Sequence, residues 1–169
     1  ALFEEHVLES QIRALESKDI ETILDIAVAA WQPVFDSTRE IVGSGLFDLV
    51  YPDPDERKRA SIAAQCAESS STLVWVVEIA GQIAGFITLD MNHETLVGEI
   101  GNNAVSPVHQ HRGVGTKMYD FVLGYMKDAG MKSAVVTTGA DEAHAPARRA
   151  YEKAGFAGAV PSVEYHIKI

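Results

Sequence analysis

Between Val105 and Thr116 the chain reads VSPVHQHRGVGT, and no other stretch limits the fold as much. β-Prone residues from about Val97 to Val105 end at Ser106 and Pro107. A polar loop follows, and Val114, Met118, Phe121, Val122 and Tyr125 then mark one face of a helix that stops at Gly130. A strand that enters a helix through Gly113 and Gly115 presents the free N–H groups of the first helical turn together. The helix dipole favours an anion there, and the glycines let backbone approach it. Arg112 and His111 can add charge-assisted bonds. Tight packing explains such a Gly-x-Gly equally well, so the junction by itself is weak evidence for phosphate.

The rest of the chain divides at its punctuation. From Asp19, read as a cap, apolar residues recur at helical spacing from Ile20 to Ala30, and Pro33 is expected to stop them. A short helix is expected over Ser37 to Leu49. Asp53, Pro54 and Glu56 form a helix start leading into residues 54 to 69. Thr72 to Ile79 and Ile83 to Met91, joined at Ala80, Gly81 and Gln82, read as a hairpin. After the central strand and helix come a strand at Ser133 to Thr138, a helix near Ala145 to Ala154 closed by Gly155, and a last strand at about Val163 to Ile169. This order is α/β or α+β.

At 169 residues the chain is expected to form one domain, 1–169, with 1–69 a helical region, 72–156 the core and 157–169 the terminal strand. The formal charge of −10 speaks against nucleic acid or an anionic membrane as partner. All of it lies in residues 1 to 56, where 13 acids meet three bases. That is either a solvated face or a field that draws in a cation. No apolar run is long enough to span a bilayer, and the opening ALFEEHVLES does not resemble a signal peptide, so a cytoplasmic location is the expectation. The lone Cys66 reads as a small core residue. His109-x-His111 has no carboxylate or thiol pattern to complete a shell, so no metal is expected.

The glycine loop is neither a P-loop nor the dinucleotide-binding fingerprint, since there is no Gly-Lys-Ser/Thr and Met118 stands where a third Gly would be. Gln110-x-x-Gly113-x-Gly115 instead matches the Q/R-x-x-G-x-G/A signature. With Glu99-Ile100 before it and Tyr151-Glu-Lys-Ala-Gly-Phe156 after it, the chain resembles the GNAT superfamily of N-acetyltransferases from Leu73 to Phe156. The resemblance implies a central mixed, mostly antiparallel sheet flanked by helices, with a splayed strand pair that binds acetyl-CoA as cosubstrate.

It also implies roles. The backbone of His111, Arg112, Gly113, Val114, Gly115 and Thr116, with Gln110 beside it, would hold the pyrophosphate, and the edge at Ala104 and Val105 would pair with the pantetheine amides. A main-chain N–H near Val105 would face the oxyanion. His144, seven residues before Tyr151, stands where the family commonly has an Asn that touches the cofactor. Tyr151 would protonate the thiolate. Glu99 would accept the ammonium proton through water, because an amine with a pKa near 10.4 is almost wholly protonated at neutral pH. Asn102 or Asn103 could position that water. No Ser, His and carboxylate stand in a nucleophile arrangement, so transfer is expected to be direct.

A primary amine of a cationic small molecule is the expected acceptor, with Trp31, Phe35 and Tyr51 as its walls. The rivals are a peptide or protein acetyltransferase and a catalytically silent acyl-CoA-binding module. A homodimer is the default assembly.

Overall fold

The computed structural model describes residues 10–169, so the opening stretch ALFEEHVLES lies outside the described part but for Ser10. The strands are β1 (Ser10–Ala14), β2 (Leu73–Ile79), β3 (Gln82–Asn92), β4 (Val97–Val105) and β5 (Ser133–Val136). The helices are α1 (Ile20–Val42), α2 (Ser44–Val50), α3 (Pro54–Gln65), α4 (Val114–Asp128) and α5 (Ala145–Lys153). The strands form one sheet in the order β1-β2-β3-β4-β5, antiparallel except for the β4–β5 pair. The expected mixed, mostly antiparallel sheet flanked by helices is thus what the chain forms.

Both faces of the sheet are covered, and the period-2 pattern of β2 shows how. Trp75 and Val77 join Ile87, Leu89 and Ile100 beneath α4 and α5, against Val114, Met118, Val122 and Tyr151. Val74 and Val76 turn the other way, with Phe86 and Ala104, to meet Ile23, Ile26, Ala27 and Ile62 of α1 and α3. Alternation along a strand supplies both cores at once.

Several boundaries differ from the sequence reading. Pro33 does not end α1, which continues to Val42. The proline ring costs the helix one backbone bond, yet residues on both sides of it keep their packing partners, with Ile23 and Ala27 in the core and Ser37 bonded to Asp141. The break falls at Gly43, whose φ of 84° carries the chain straight into α2. Asp19 holds the N-cap position of α1, as read, but makes no side-chain cap bond to it. Its carboxylate lies in the 3-10 turn Ser17–Asp19, accepting the Glu16 N–H at 2.9 Å and two bonds from Arg13. Asp53 likewise makes no side-chain cap bond, and α3 stops at Gln65.

The terminal strand is a correction. Residues 157–169 carry no strand, and Val163, Tyr165, Ile167 and Ile169 are exposed. The polar residues between them find partners instead: Tyr51 donates its hydroxyl to Glu164 at 3.1 Å, and its ring lies 6.1 Å from that of His166. A strand needs a neighbouring edge and a buried face. This segment, held against the end of α2, has neither among the described residues.

Candidate active site

Between Leu89↔Ile100 and Ile87↔Asn103 the β3–β4 register shifts by one residue, so Thr88 opposes both Gly101 and Asn102. Such a bulge bends its strand and interrupts pairing. Gly101 suits the position because a Cβ there would stand 2.6 Å from Thr88 Oγ1. β4 pairs with β5 only from Val97 to Ile100, against Ser133 to Val136, and residues 101 to 105 then run on with β3 alone beside them. The opening is a cleft of about 890 Å³. β4 lines one wall from Glu99 to Val105, α5 with Thr137 and Thr138 lines another, and Ala30, Trp31, Pro33 and Val34 of α1 line a third.

The loop into α4 closes one end. Gly113 takes a left-handed φ of 79° as N-cap, and His111, at φ 62°, adopts a backbone that non-glycine residues seldom use. No side chain caps α4, so the N–H groups of its first turn face the cleft beside Val114, Gly115 and Thr116. A Cβ at Gly115 would sit in ordinary contact, 3.7 Å from Tyr119, so this glycine is not demanded by the protein's own packing. Arg149 and Lys153, four apart on α5, add positive charge to the same cleft. Their sequence signal is the i, i+4 spacing of Arg149 and Lys153 within ARRAYEK, which puts both on one face of the helix.

Glu99, Ala104, Val105, Gln110, His111, Gly113, Val114, Gly115, Thr116, His144 and Tyr151 all line this cleft. Arg112 is exposed and is not among the residues that line it. Gln110 turns its amide back to the Val105 carbonyl at 3.4 Å, fixing the loop to the end of β4. Of the three aromatic residues expected as walls, Trp31 lines the cleft, while Phe35 does not and Tyr51 packs, tilted, on Phe47 with centroids 5.2 Å apart.

The Tyr151 hydroxyl is buried and tied to β4. Asn103 donates its amide to that oxygen at 3.1 Å and accepts the Tyr119 hydroxyl at 2.9 Å on its carbonyl. The two rings meet edge to face at 5.3 Å. Burial pushes the Tyr151 phenol above its ordinary value, with the Asn103 and Tyr119 bonds pulling the other way, and burial pushes Tyr119 higher still. Tyr151 therefore keeps its proton at neutral pH. Of Asn102 and Asn103, offered as alternatives for positioning a water, Asn103 is engaged by the two tyrosines.

Glu99 is exposed and has no ion-pair partner among the described residues. Behind Trp31 lies a charge the sequence did not announce. Lys58 Nζ stands 3.5 Å over the Trp31 ring and donates to Asn102 Oδ1 at 2.9 Å, and burial lowers its pKa to about 8. The Asn102 amide in turn donates to Gln65 at 2.7 Å, so α3 clamps the bulge. Cys66 is half-buried, and burial raises its thiol pKa, which fits a packing role.

A family model for the acetyltransferase (GNAT) family matches residues 23–156. The chain belongs to this family. As a GNAT member it is an acetyltransferase, and the match takes in α1 to α3 as well as the segment from Leu73 onward. No curated protein matches the sequence. Solved structures share its fold at low identity. The ribosomal-protein-S18-alanine N-acetyltransferase from Escherichia coli superposes with a TM-score of 0.66 at 19% identity, covering 90% of this chain and 80% of that one. The PaiA N-acetyltransferase from Thermoplasma acidophilum, in complex with coenzyme A, gives 0.65 at 18%, covering 88% and 90%. A transcriptional regulator from Bacillus halodurans gives 0.63 at 16%, covering 94% and 100%. At these identities the likeness is one of fold. No helix among the described residues is long and apolar enough to cross a membrane.

Proposed function

We propose that this GNAT acetyltransferase moves an acetyl group from acetyl-CoA directly to the primary amine of a small cationic molecule. One observation carries the reading: the break between β4 and β5 brings the Glu99 carboxylate, the Tyr151 hydroxyl and the open N-terminus of α4 into one cleft. When bound, acetyl-CoA supplies the acetyl thioester. The uncapped amides from His111 to Thr116, with Arg149 and Lys153, would hold its phosphates. The unpaired edge at Ala104 and Val105 would take the pantetheine amides as an added strand, and its main-chain donors would face the developing oxyanion. Gly115, where the protein itself has room for a Cβ, leaves that room to the ligand.

Tyr151 would give its proton to the departing sulfur, since burial keeps the phenol protonated and Asn103 uses its oxygen as acceptor rather than its hydrogen. Glu99 would take a proton from the ammonium through water. Glu99 also supports the cationic acceptor, for it lines the cleft without an ion-pair partner among the described residues, whereas acids of the first third are held elsewhere: Arg59 holds Glu21 and Asp25, and Arg13 holds Asp19. Trp31, already facing one ammonium through Lys58, would wall the acceptor's carbon skeleton.

Calorimetry with acetyl-CoA, followed by a panel of small primary amines and of peptides read by thiol release, tests this. Binding together with turnover of small amines is the expected result. No heat at millimolar acetyl-CoA, or turnover confined to peptides, overturns it.

A further inference from the structure

Asp141 ties three elements together. Ser37 of α1 donates its hydroxyl to Asp141 Oδ2 at 2.6 Å, and Asp141 Oδ1 meets Nδ1 of His144. Arg148 of α5 holds the same loop, donating to the carbonyls of Gly139 and Asp141 at 2.7 Å each. Gly139 leaves space for the pair: a Cβ there would stand 2.7 Å from Asp141 Oδ1 and from His144 Cε1. Burial opposes the charge on Asp141, but the bonds from Ser37 and His144 hold its carboxyl below the usual carboxylate range.

His144 occupies the N-cap of α5 and makes no side-chain cap bond, so capping does not explain it. An imidazole whose Nδ1 is held by a carboxylate carries its hydrogen there and offers Nε2 as the basic atom. This imidazole lines the cleft that holds Glu99 and Tyr151. Seven residues separate it from Tyr151, about 10 Å along the helix at the usual rise.

We propose that His144, oriented by Asp141, is a second proton acceptor of the acetyl-transfer cleft, taking a proton from the acceptor amine. The inference rests on the acetyltransferase reading above. The proton count asks for such a group. As the C–N bond forms and the C–S bond breaks, an ammonium nitrogen sheds two protons while the sulfur takes up one. Glu99 holds one of the two and His144 Nε2 the other. Tyr151 protonates the sulfur and is reprotonated from this pair, so one proton per turnover reaches solvent. Asp141 meets the imidazole, Arg148 holds the backbone carbonyls of Gly139 and Asp141 in the same loop, and α1 presents Ser37, which does not titrate. Sharing its cleft are Arg149, Lys153 and Tyr151 of α5, Glu99 of β4, and the loop histidines 109 and 111.

Imidazole nitrogen NMR on the intact protein, with kinetics of His144→Gln and Asp141→Asn on the amine panel, tests the proposal. Expected are an Nδ1–H tautomer for His144 that Asp141→Asn removes, and a fall in kcat of about 100-fold or more for His144→Gln. That variant should also lose one ionisation from the acidic limb of kcat/KM and keep its calorimetric affinity for acetyl-CoA. A side chain that only touches the coenzyme would instead raise KM for acetyl-CoA and leave the pH profile alone, which overturns the proposal, as does an Nε2–H tautomer in the wild type. If the wild type acetylates no amine, the acetyltransferase reading falls and this one with it. If it does and His144→Gln matches it at every pH, only this one falls.

Discussion

Asn103 donates its side-chain amide to the Tyr151 hydroxyl oxygen across 3.1 Å, and so links the free end of β4 to α5 on the far side of the cleft. Because the same amide group accepts the Tyr119 hydroxyl at 2.9 Å, its orientation is fixed at both ends. The Tyr151 oxygen serves as an acceptor in this chain of bonds. Its own hydrogen is left for the cleft.

Tyr151→Phe is therefore expected to lower kcat by about 100-fold, the scale of a lost general acid, while calorimetric affinity for acetyl-CoA stays at the wild-type level. Asn103→Leu should lower kcat by about tenfold, a loss of roughly 1.4 kcal/mol in transition-state stabilisation, by leaving the Tyr151 hydroxyl without its anchor. A drop in coenzyme affinity that matched the loss of rate in Tyr151→Phe would reassign the residue to binding.

Arg13 grips Asp19 with both terminal nitrogens, at 2.6 and 3.0 Å, and reaches Glu78 through Nε at 3.0 Å. The bond from Arg13 holds the Asp19 carboxyl below its ordinary value, against the effect of burial and with help from the Glu16 N–H. A lowered folded-state pKa contributes stability that is fully present above the unfolded value, about 3.9, and is lost as pH falls through the folded one. Asp19→Asn should cost about 3 kcal/mol at pH 7, the low end for breaking a buried pair, because Arg13 keeps Glu78. Urea unfolding at neutral and acid pH checks both points: the variant should lose less than the wild type on acidification.

Lys58 works in the opposite sense. Burial lowers its folded-state pKa to about 8, below the value near 10.4 of an unfolded lysine, so the unfolded chain binds more protons between these limits. Stability contributed by this residue thus rises as pH climbs from about 8 to about 10.4. Lys58→Met should flatten that rise in urea unfolding. A variant whose stability climbs as steeply as the wild type's would show that the ammonium is not desolvated.

The bulge offers a paired test. Gly101→Ala places a Cβ against the Thr88 hydroxyl and is expected to cost about 1–3 kcal/mol, the range for overpacking. It should also weaken acetyl-CoA binding by disturbing the break between β4 and β5. Thr88→Val removes a fully buried hydroxyl that has no partner among the described residues, and should stabilise the fold by about 1 kcal/mol. Thermal unfolding of the two variants should move in opposite directions.

How far the site was legible varies residue by residue. Gly113, Gly115 and Tyr151 announce themselves because a short local motif fixes each, and Glu99 and His144 follow at set distances from it. Lys58, Ser37 and Asp141 give no such signal. Ser37 lies 104 positions from Asp141, and Lys58 lies 44 from Asn102, so only the closed sheet brings them within hydrogen-bond range. Arg149 and Lys153 join the cleft only through the packing of α5 against its far wall.

By itself the sequence determined β2 to β5, the helices α3 to α5, the glycine turn into α4 and the family, since each depends on neighbours a few residues away through apolar period, turn chemistry and motif spacing; β1, inside the stretch expected to be helical, gave no such signal and is a strand only because it pairs with β2. The tertiary structure alone decided that α1 passes through Pro33, that residues 157–169 find no strand partner, and that Asp141 holds His144 toward the cleft. In each of these a local preference competes with contacts from distant parts of the chain. Packing and pairing outweigh the cost of one helical bond at Pro33, while alternating apolar residues without an edge to join cannot make a strand at the carboxyl end.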